Sequence, residues 1–338
     1  MVLAPLILAA ELAKPVEPIG AILDAFKTHP VVALSAGEGH GDLRGPEFVV
    51  SLIKDARFAP LPIDVVVENA NARYQSTSDR YTRGDDVPYG ELRRIWDDTT
   101  QPEVFHRPDE IPEIYRAVRE INRGLPPQRR HRVLLGDPPI DWDAVHDRAD
   151  VRKWMEQRDS NPAEVVRREA LAKRRKALLV YGGGHLQRKQ QATNYVMDSP
   201  LAQTIVSLLE RAGVTPFVIE TIGERDAVRS WPAPSLAVLR GTRLGAEDVP
   251  PLGLPRVTVQ ADGSFVPIPK EKWIAMPMQE QFDAVLYLGP KSTLRERQLS
   301  AEVCSDREYI ETHLQRMALA ALPPFELDRV RALCGLTK

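Results

Sequence analysis

The amino-acid sequence predicts an α/β fold, a mainly parallel β-sheet with helices on both faces. Three observations support this prediction. Short apolar and β-branched runs recur along the chain and end in Gly, Asp, Glu or Asn, as buried parallel strands do. Amphipathic helical patterns lie between these runs, which is the order that βαβ units require. The hydrophobic share of 43% over 338 residues is enough for one large core.

Six segments are predicted strands. They are residues 31–40, 63–71, 131–139, 176–185, 215–221 and 283–290. Four segments between them repeat apolar residues at helical spacing, which predicts amphipathic helices. These are residues 47–58, 112–125, 163–176 and 200–213. Strand and helix therefore alternate over most of the chain.

Two regions interrupt that alternation. Residues 72–112 are polar, aromatic and rich in turn formers, which predicts a lid-like helical insertion over one end of the sheet. Residues 223–282 are Pro-rich, and Asp262-Gly263 within them predicts a small β-hairpin in a peripheral segment. We expect residues 21–338 to form a single α/β domain. Residues 1–20 are either an N-terminal arm or a signal remnant, because their apolar start lacks basic residues and a clean cleavage site.

Composition excludes several classes of function. The formal net charge is -2, from 45 basic and 47 acidic residues, so no global field attracts nucleic acid or an anionic membrane. No segment has the roughly 20 continuous apolar residues of a membrane-spanning helix. We expect a soluble protein, cytoplasmic or exported, that acts on a small molecule; its oligomeric state does not follow from the sequence. Cys304 and Cys334 lack a ligand motif, so two free thiols are favoured and one disulfide bond is the alternative.

Four polar side chains at the ends of predicted strands are the candidate catalytic residues. Glu38 and His40 follow the first strand between glycines, Glu68 follows three valines at the end of the second, and His185 follows three glycines after the fourth. Each alone has a structural explanation, such as a helix cap. Ligands of open parallel sheets bind beyond the carboxyl ends of the strands, so we expect the four side chains to share one rim.

Seven further residues are predicted to contact the substrate. They are Arg44, Asn71, Arg73, Asp137, Asp141, Trp142 and Arg188. Arg44 lies on the first turn of the helix after His40, where its guanidinium would bind an anionic group. Asp137 and Asp141 occupy a Pro-containing loop after the third strand, although an Asp before prolines is also an ordinary turn former.

Three short motifs resemble a known superfamily. They are Gly-Glu-x-His-Gly at 37–41, Val-Val-Glu ending at Glu68, and Gly-x-x-His-Leu at 182–186. The chain resembles the superfamily that joins erythromycin esterase-like proteins, ChaN-like haem-uptake lipoproteins and the TraB/Tiki group. The resemblance covers about residues 30–190 and the last predicted strand, and it implies an α/β fold, with hydrolysis, metal-dependent peptidase activity or haem binding according to the branch.

The motifs of this sequence differ from those of each branch, and the differences affect which substrate the resemblance implies. The Glu-x-His spacing of Glu38 and His40 resembles the ChaN-like branch, whereas esterases carry one further residue between the two. The glycines before His185 resemble the Tiki and TraB signature. The resemblance therefore implies the site residues but not a macrolide substrate.

Attack by water is the expected mechanism. The sequence has no Gly-x-Ser-x-Gly elbow and no cysteine beside a histidine motif, so a covalent acyl-enzyme is not supported. We expect an ester, lactone or amide to be cleaved, with His40, oriented by Glu38 or Glu68, as general base. His185 and Arg44 then stabilise the oxyanion or protonate the leaving group.

Two alternatives stay open at this point. In the first, zinc, manganese or cobalt bound by Glu38, His40, Glu68 and His185 supplies the activated water. In the second, the protein captures haem in the same cleft without turning it over.

Overall fold

The computed structural model confirms the predicted fold class. It describes residues 11–35, 37, 42–189, 203–248, 257–259, 265–267, 276–295 and 299–336. A seven-stranded, mostly parallel sheet carries an apolar cluster on each face. Burial on both faces explains why the strands are nearly continuous in apolar residues and do not alternate with polar ones.

The described strands fall into one large sheet and one small one. They are β1 (Val31–Ser35), β2 (Ile63–Asn71), β3 (Val133–Asp137), β4 (Lys176–Tyr181), β5 (Phe217–Ile222), β6 (Ser235–Val238), β7 (Val257–Val259), β8 (Phe265–Pro267) and β9 (Ala284–Tyr287). The order in the large sheet is β3-β2-β4-β1-β5-β9-β6. All neighbours in it are parallel except β6, which is antiparallel to β9.

All six predicted strands are present, most of them shorter than predicted, and one strand was missed. The missed strand is β6, a short edge strand that follows a Pro-rich stretch. Its Val238 is half-exposed, so β6 lacks the continuous apolar run by which the other strands were recognised. The predicted hairpin is confirmed, because β7 and β8 pair in antiparallel fashion across residues 260–264.

The described helices are mostly short. They are α1 (Pro18–Ala25), α2 (Arg44–Lys54), α3 (Gln75–Arg83), α4 (Tyr89–Leu92), α5 (Arg94–Asp97), α6 (Glu113–Asn122), α7 (Arg148–Met155), α8 (Ser160–Val165), α9 (Gly183–Leu186), α10 (Ile205–Arg211), α11 (Arg243–Ala246), α12 (Met278–Gln281), α13 (Ala301–Ser305), α14 (Arg307–Leu319) and α15 (Pro324–Leu333). None of them is long and apolar enough to cross a membrane.

Each face of the sheet has its own helices. The first apolar cluster packs α1, α2 and α6 against one face, through side chains such as Phe26, Leu52 and Val118. The second apolar cluster packs α8, α9 and α10 against the other face, through side chains such as Val165 and Leu209. The predicted helix at 163–176 is realised as α8 followed by a π-helical and a 3-10 turn.

The segment 72–112 contains the helices that the sequence predicts there. Leu92, Ile95 and Trp96 belong to the first apolar cluster, and the Ser78 hydroxyl donates to the Val133 carbonyl of β3 over 2.9 Å. These residues are therefore packed against the sheet. Whether the segment also works as a lid stays a prediction.

Residues 11–16 lie along the edge of the sheet. The backbone N–H of Val16 donates to the Leu236 carbonyl over 2.8 Å, and that of Leu236 donates back over 3.1 Å. Pairing of this kind covers part of the exposed edge that β6 presents. The choice between an N-terminal arm and a signal remnant concerns residues 1–10 as well, which lie outside the described residues.

A third apolar cluster joins α13, α14 and α15 and is closed by a disulfide bond. The cluster contains Val303, Ile310 and Met317, and its last member, Cys334, is bonded to Cys304. The prediction of two free thiols was therefore wrong. Thirty residues separate the two cysteines, and only the packing of the three helices brings their Cα atoms to 5.0 Å.

Loss of this bond should loosen the C-terminal helices. We expect Cys334→Ser to lower the free energy of unfolding by about 3–4 kcal/mol, because the bond closes a loop of 30 residues in the unfolded chain. Urea denaturation with and without reductant measures the change. Reductant should destabilise the wild type and leave the variant unaffected; two titratable thiols in the native wild type would contradict the assignment.

Candidate active site

The candidate site lies where β1, β2 and β4 end. Tyr181, the last residue of β4, pairs with Ser35, the last residue of β1. Glu68 directly follows Val67, the last residue of β2 in register with β4. The carboxyl ends of these parallel strands therefore meet at one edge of the sheet, the position at which such sheets bind ligands.

The structure brings two of the predicted catalytic residues together, Glu68 and His185. Glu68 Oε2 accepts a hydrogen bond from the backbone N–H of Gly182 over 2.7 Å, at the end of β4. That contact holds the start of α9 against β2. His185 lies on α9, and its Nε2 is 3.6 Å from Glu68 Oε1.

Asp159 completes the surroundings of His185, and the sequence analysis missed it. The Asp159 Oδ1 atom lies 2.9 Å from His185 Nδ1. It also accepts from the backbone N–H of Ile205, over 3.2 Å, at the start of α10. Asp159 is thus fixed by α10 and in turn fixes the imidazole, with Nδ1 occupied and Nε2 directed towards Glu68 without a hydrogen bond among the described residues.

The two carboxylates determine the charge of His185. Burial lowers the pKa of this imidazole, but the charge and hydrogen bond of Asp159 and the charge of Glu68 outweigh burial. The net effect raises the pKa of His185 above its ordinary value of 6.5. A shift in this direction favours the imidazolium over the neutral ring, in a side chain that stays 23% exposed.

Arg158 is the second residue that the sequence analysis missed. Its Nη2 donates to Glu68 Oε1 over 3.3 Å, which is the one hydrogen bond that its guanidinium makes with the described residues. A guanidinium has five N–H donors, so most of them are available to an anionic group. The adjacent pair Arg158-Asp159 stands before α8, and its polarity was the signal that could have identified it.

Asp137 and Tyr181 are buried beside this cluster. Asp137 accepts from the Thr100 backbone N–H over 2.7 Å and from its hydroxyl over 2.5 Å. Burial nevertheless raises the pKa of Asp137 to about 7. The Tyr181 hydroxyl has no hydrogen-bond partner among the described residues and packs against Gly136, where a Cβ atom would lie 1.8 Å from it. Two buried polar groups therefore adjoin the cluster.

Two of the predicted substrate contacts, Arg44 and Arg188, form hydrogen bonds that connect separate segments of the protein. Arg44 pairs with Asp42 through two bonds of 3.1 Å and donates to the Gly289 carbonyl over 3.1 Å. Arg188 is not at the predicted rim. It contacts the Pro216 carbonyl and Asp283, which directly precede β5 and β9, so it lies at the amino ends of those strands.

The loops after β2 and β3 hold the other predicted contacts. The Asn71 amide donates to the carbonyls of Asp98 and Ile140 over 2.6 and 2.9 Å, so its donors are occupied inside the protein. Arg73 forms an ion pair of 2.9 Å with Asp141 in which both side chains are partly exposed. The indole of Trp142 donates to the Thr99 carbonyl over 3.1 Å. These contacts shape the rim, and their role in binding stays a prediction.

Glu38 and His40 lie outside the described residues. Within the described part of the chain, no three His, Cys, Asp or Glu side chains converge closely enough to hold a metal ion. Of the four residues predicted to bind a metal, the structure describes Glu68 and His185. They form an ion-paired cluster with Asp159 and Arg158.

Comparison with known proteins finds weak structural similarity between this chain and several solved structures. No protein-family model and no curated protein sequence matches the chain. Among solved structures, ChaN of Campylobacter jejuni, described with cofacially bound heme, is 13% identical with a TM-score of 0.38, covering 63% of this chain and 89% of its own. The type III effector HopBA1 is 14% identical with a TM-score of 0.38, covering 68% and 92%. A Bacillus cereus protein is 11% identical with a TM-score of 0.46, covering 86% and 97%. Similarities this weak carry no argument about activity.

Proposed function

We propose that this protein is a hydrolase that cleaves an ester, lactone or amide of a small organic substrate, with His185 as general acid. One observation carries the proposal. His185 is held by Asp159 at Nδ1, while its side chain is partly exposed and its Nε2, 3.6 Å from Glu68, has no hydrogen bond to a described residue. An imidazolium held in this way has one N–H fixed and one available to a leaving-group oxygen or nitrogen.

The neighbouring residues have complementary roles in this proposal. Arg158, with its unused donors, stabilises the negative charge that develops on the attacked carbonyl oxygen. Glu68 orients both Arg158 and the turn that carries His185. This assignment replaces Arg44, whose guanidinium is engaged with Asp42 and the Gly289 carbonyl. Activation of the water stays with Glu38 and His40, as the sequence predicts.

The metal-dependent form is the alternative to this scheme, because His185 as a metal ligand would be neutral and could not also be the general acid. Glu38, His40, Glu68 and His185 would then bind zinc, manganese or cobalt and generate the hydroxide. Elemental analysis of the purified protein separates the two forms. A stoichiometric metal that is lost in Glu68→Ala supports the metal-dependent form, and a metal-free active protein supports general acid–base catalysis.

The test of the function is a panel of alkyl esters, lactones and amides. We expect the wild type to hydrolyse at least one class and His185→Gln to lose that activity. His146→Gln is the matched control, because His146 is an exposed histidine on a loop. A haem titration of the same preparation covers the alternative function: a Soret band without hydrolysis of any substrate would replace the hydrolase by haem capture.

A further inference from the structure

A second carboxyl group lies under the turn that carries His185. Glu220 is the fourth residue of β5 and is only 4% exposed. Val218 and Ile222, two residues to either side, belong to the second apolar cluster, so Glu220 faces the same layer. This is the layer in which α9 packs against the sheet through Leu186.

Glu220 has few polar neighbours among the described residues. The Ser35 hydroxyl donates to Oε1 over a long 3.4 Å, and Oε2 has no hydrogen-bond partner among the described residues. The neighbouring strand β1 has no titratable side chain, and β9, on the other side, has Tyr287. Tyr181 lies one strand further away, on β4, and His185 on α9 is paired with Asp159 instead. An ionised carboxylate in this place would be buried without compensation, which costs several kcal/mol.

The carboxyl group touches the backbone of α9 directly. A Cβ atom added to Gly183, the first residue of α9, would lie 2.6 Å from Glu220 Oε1 and 2.5 Å from Oε2. Only glycine leaves room for this approach. One residue earlier, Gly182 donates its N–H to Glu68. The turn that begins α9 therefore lies between two carboxyl groups. One of them is ion-paired, and the other has a single long hydrogen bond among the described residues.

We propose that Glu220, as a neutral carboxylic acid, is a positioning residue that holds the turn Gly183–Leu186 and thereby His185 in place. The neutral group fills the space under Gly183 and needs no counter-charge. Ionisation places a bare charge there, and hydrating that charge requires the turn to move away from the sheet. The role in catalysis rests on the proposed function, while the coupling between Glu220 and the turn does not.

The direction of the pH effect follows from the burial of Glu220. Burial raises its pKa from the ordinary value of 4.5 to about 8. A raised carboxyl pKa means that the folded state binds the proton more tightly than the unfolded chain does. The stabilisation is complete below 4.5 and is lost as the pH rises through 8. The turn should thus be held at neutral pH and loosened in alkali.

Hydrogen exchange of the full-length protein tests this coupling. Protection factors of the amides from Gly183 to Gln187 are compared at about one to two pH units on either side of the transition, in wild type and Glu220→Gln. We expect wild-type protection to fall at least about tenfold in alkali and Glu220→Gln protection to stay constant, since the amide mimics the neutral acid. Glu224→Gln, at an exposed position just after β5, is the control and should behave as wild type.

Gly183→Ala provides a second test if Glu220→Gln does not fold. Its methyl group would occupy the place of the carboxyl oxygens, so the amides after it should be poorly protected on both sides of the transition. Equal pH dependence in wild type and Glu220→Gln, or full protection in Gly183→Ala, would overturn the proposal. Because exchange needs no substrate, a protein that hydrolyses nothing but shows the expected protection would refute only the hydrolase, and an active protein without it would refute only the coupling.

Discussion

His185→Gln should lower kcat/KM for an alkyl ester by about 10²–10⁴-fold, the usual contribution of a positioned general acid. The glutamine amide can still contact Asp159, which accepts the hydrogen bond at 2.9 Å in the wild type, so the local packing is kept. What the variant loses is the proton at Nε2. The loss should therefore appear in turnover, and the free energy of unfolding should be nearly unchanged at a pH above the pKa of His185, where the neutral imidazole of the wild type carries no charge either.

The leaving group distinguishes a general acid from other roles of His185. A nitrophenolate leaves without a proton, whereas an alkoxide or amine needs one. We expect His185→Gln to reduce activity on an alkyl ester much more than on the nitrophenyl ester of the same acid. Steady-state kinetics on the matched pair, with His146→Gln as control, measure the difference. Equal losses on both esters would mean that His185 does not protonate the leaving group.

The sheet could be predicted from the sequence because its strands are marked locally. β1, β2, β4 and β5 are buried on both faces, so each contains at least three successive apolar residues. β6 is different, because it is an edge strand whose Val238 is half-exposed. An edge strand needs fewer apolar residues, and its pairing with β9 depends on chain geometry that the local sequence does not contain.

The candidate site could be predicted only in part. His185 follows β4 and Glu68 lies in the last part of β2, and the topology of a parallel sheet is enough to bring them to one edge. Asp159 and Arg158 follow no strand. They reach the site because α8 and α10 pack on the same face of the sheet. That packing belongs to the tertiary structure and has no local mark in the sequence. A polar pair before a helix looks like an ordinary cap in the sequence.

The predicted substrate contacts Arg44 and Arg188 have internal partners that the sequence does not reveal. Arg44 and Arg188 were chosen for what a guanidinium can bind, and in the structure each binds carboxylates and carbonyls of the protein itself. An arginine in the sequence does not reveal whether its partners are internal. Arg158 stands out by contrast, since its guanidinium makes a single hydrogen bond at a partly exposed position among the described residues.

Asp159→Asn should move the alkaline limb of the pH–rate profile to lower pH. His185 works as an acid in its protonated form, so activity is full below the pKa of His185 and falls above it. The Asp159 carboxylate is the main group that raises that pKa against the effect of burial. Without that charge, the effect of burial, which lowers the pKa of His185, is opposed only by the charge of Glu68, so we expect the limb to move to lower pH.

The asparagine keeps the geometry while it removes the charge. Its Oδ1 can still accept from His185 Nδ1 and from the Ile205 N–H, the two contacts that Asp159 makes at 2.9 and 3.2 Å. The shift is measured in the rate profile on an alkyl ester and in the NMR titration of the His185 ring, with Asp150→Asn on α7, a partly exposed carboxylate that pairs with Lys153, as the control. An unchanged titration of His185 would show that Asp159 does not set its charge.

The same substitution should also change how the free energy of unfolding depends on pH. A histidine whose pKa is raised in the folded protein stabilises the folded state at low pH. That gain is complete below the ordinary value of 6.5 and disappears as the pH rises through the pKa of His185 in the folded protein. Asp159→Asn should therefore be most destabilised relative to the wild type in acid, with the difference shrinking towards alkaline pH. A stability difference that is independent of pH would mean that Asp159 acts by packing alone, and the imidazolium that the proposed reaction requires would lose its support.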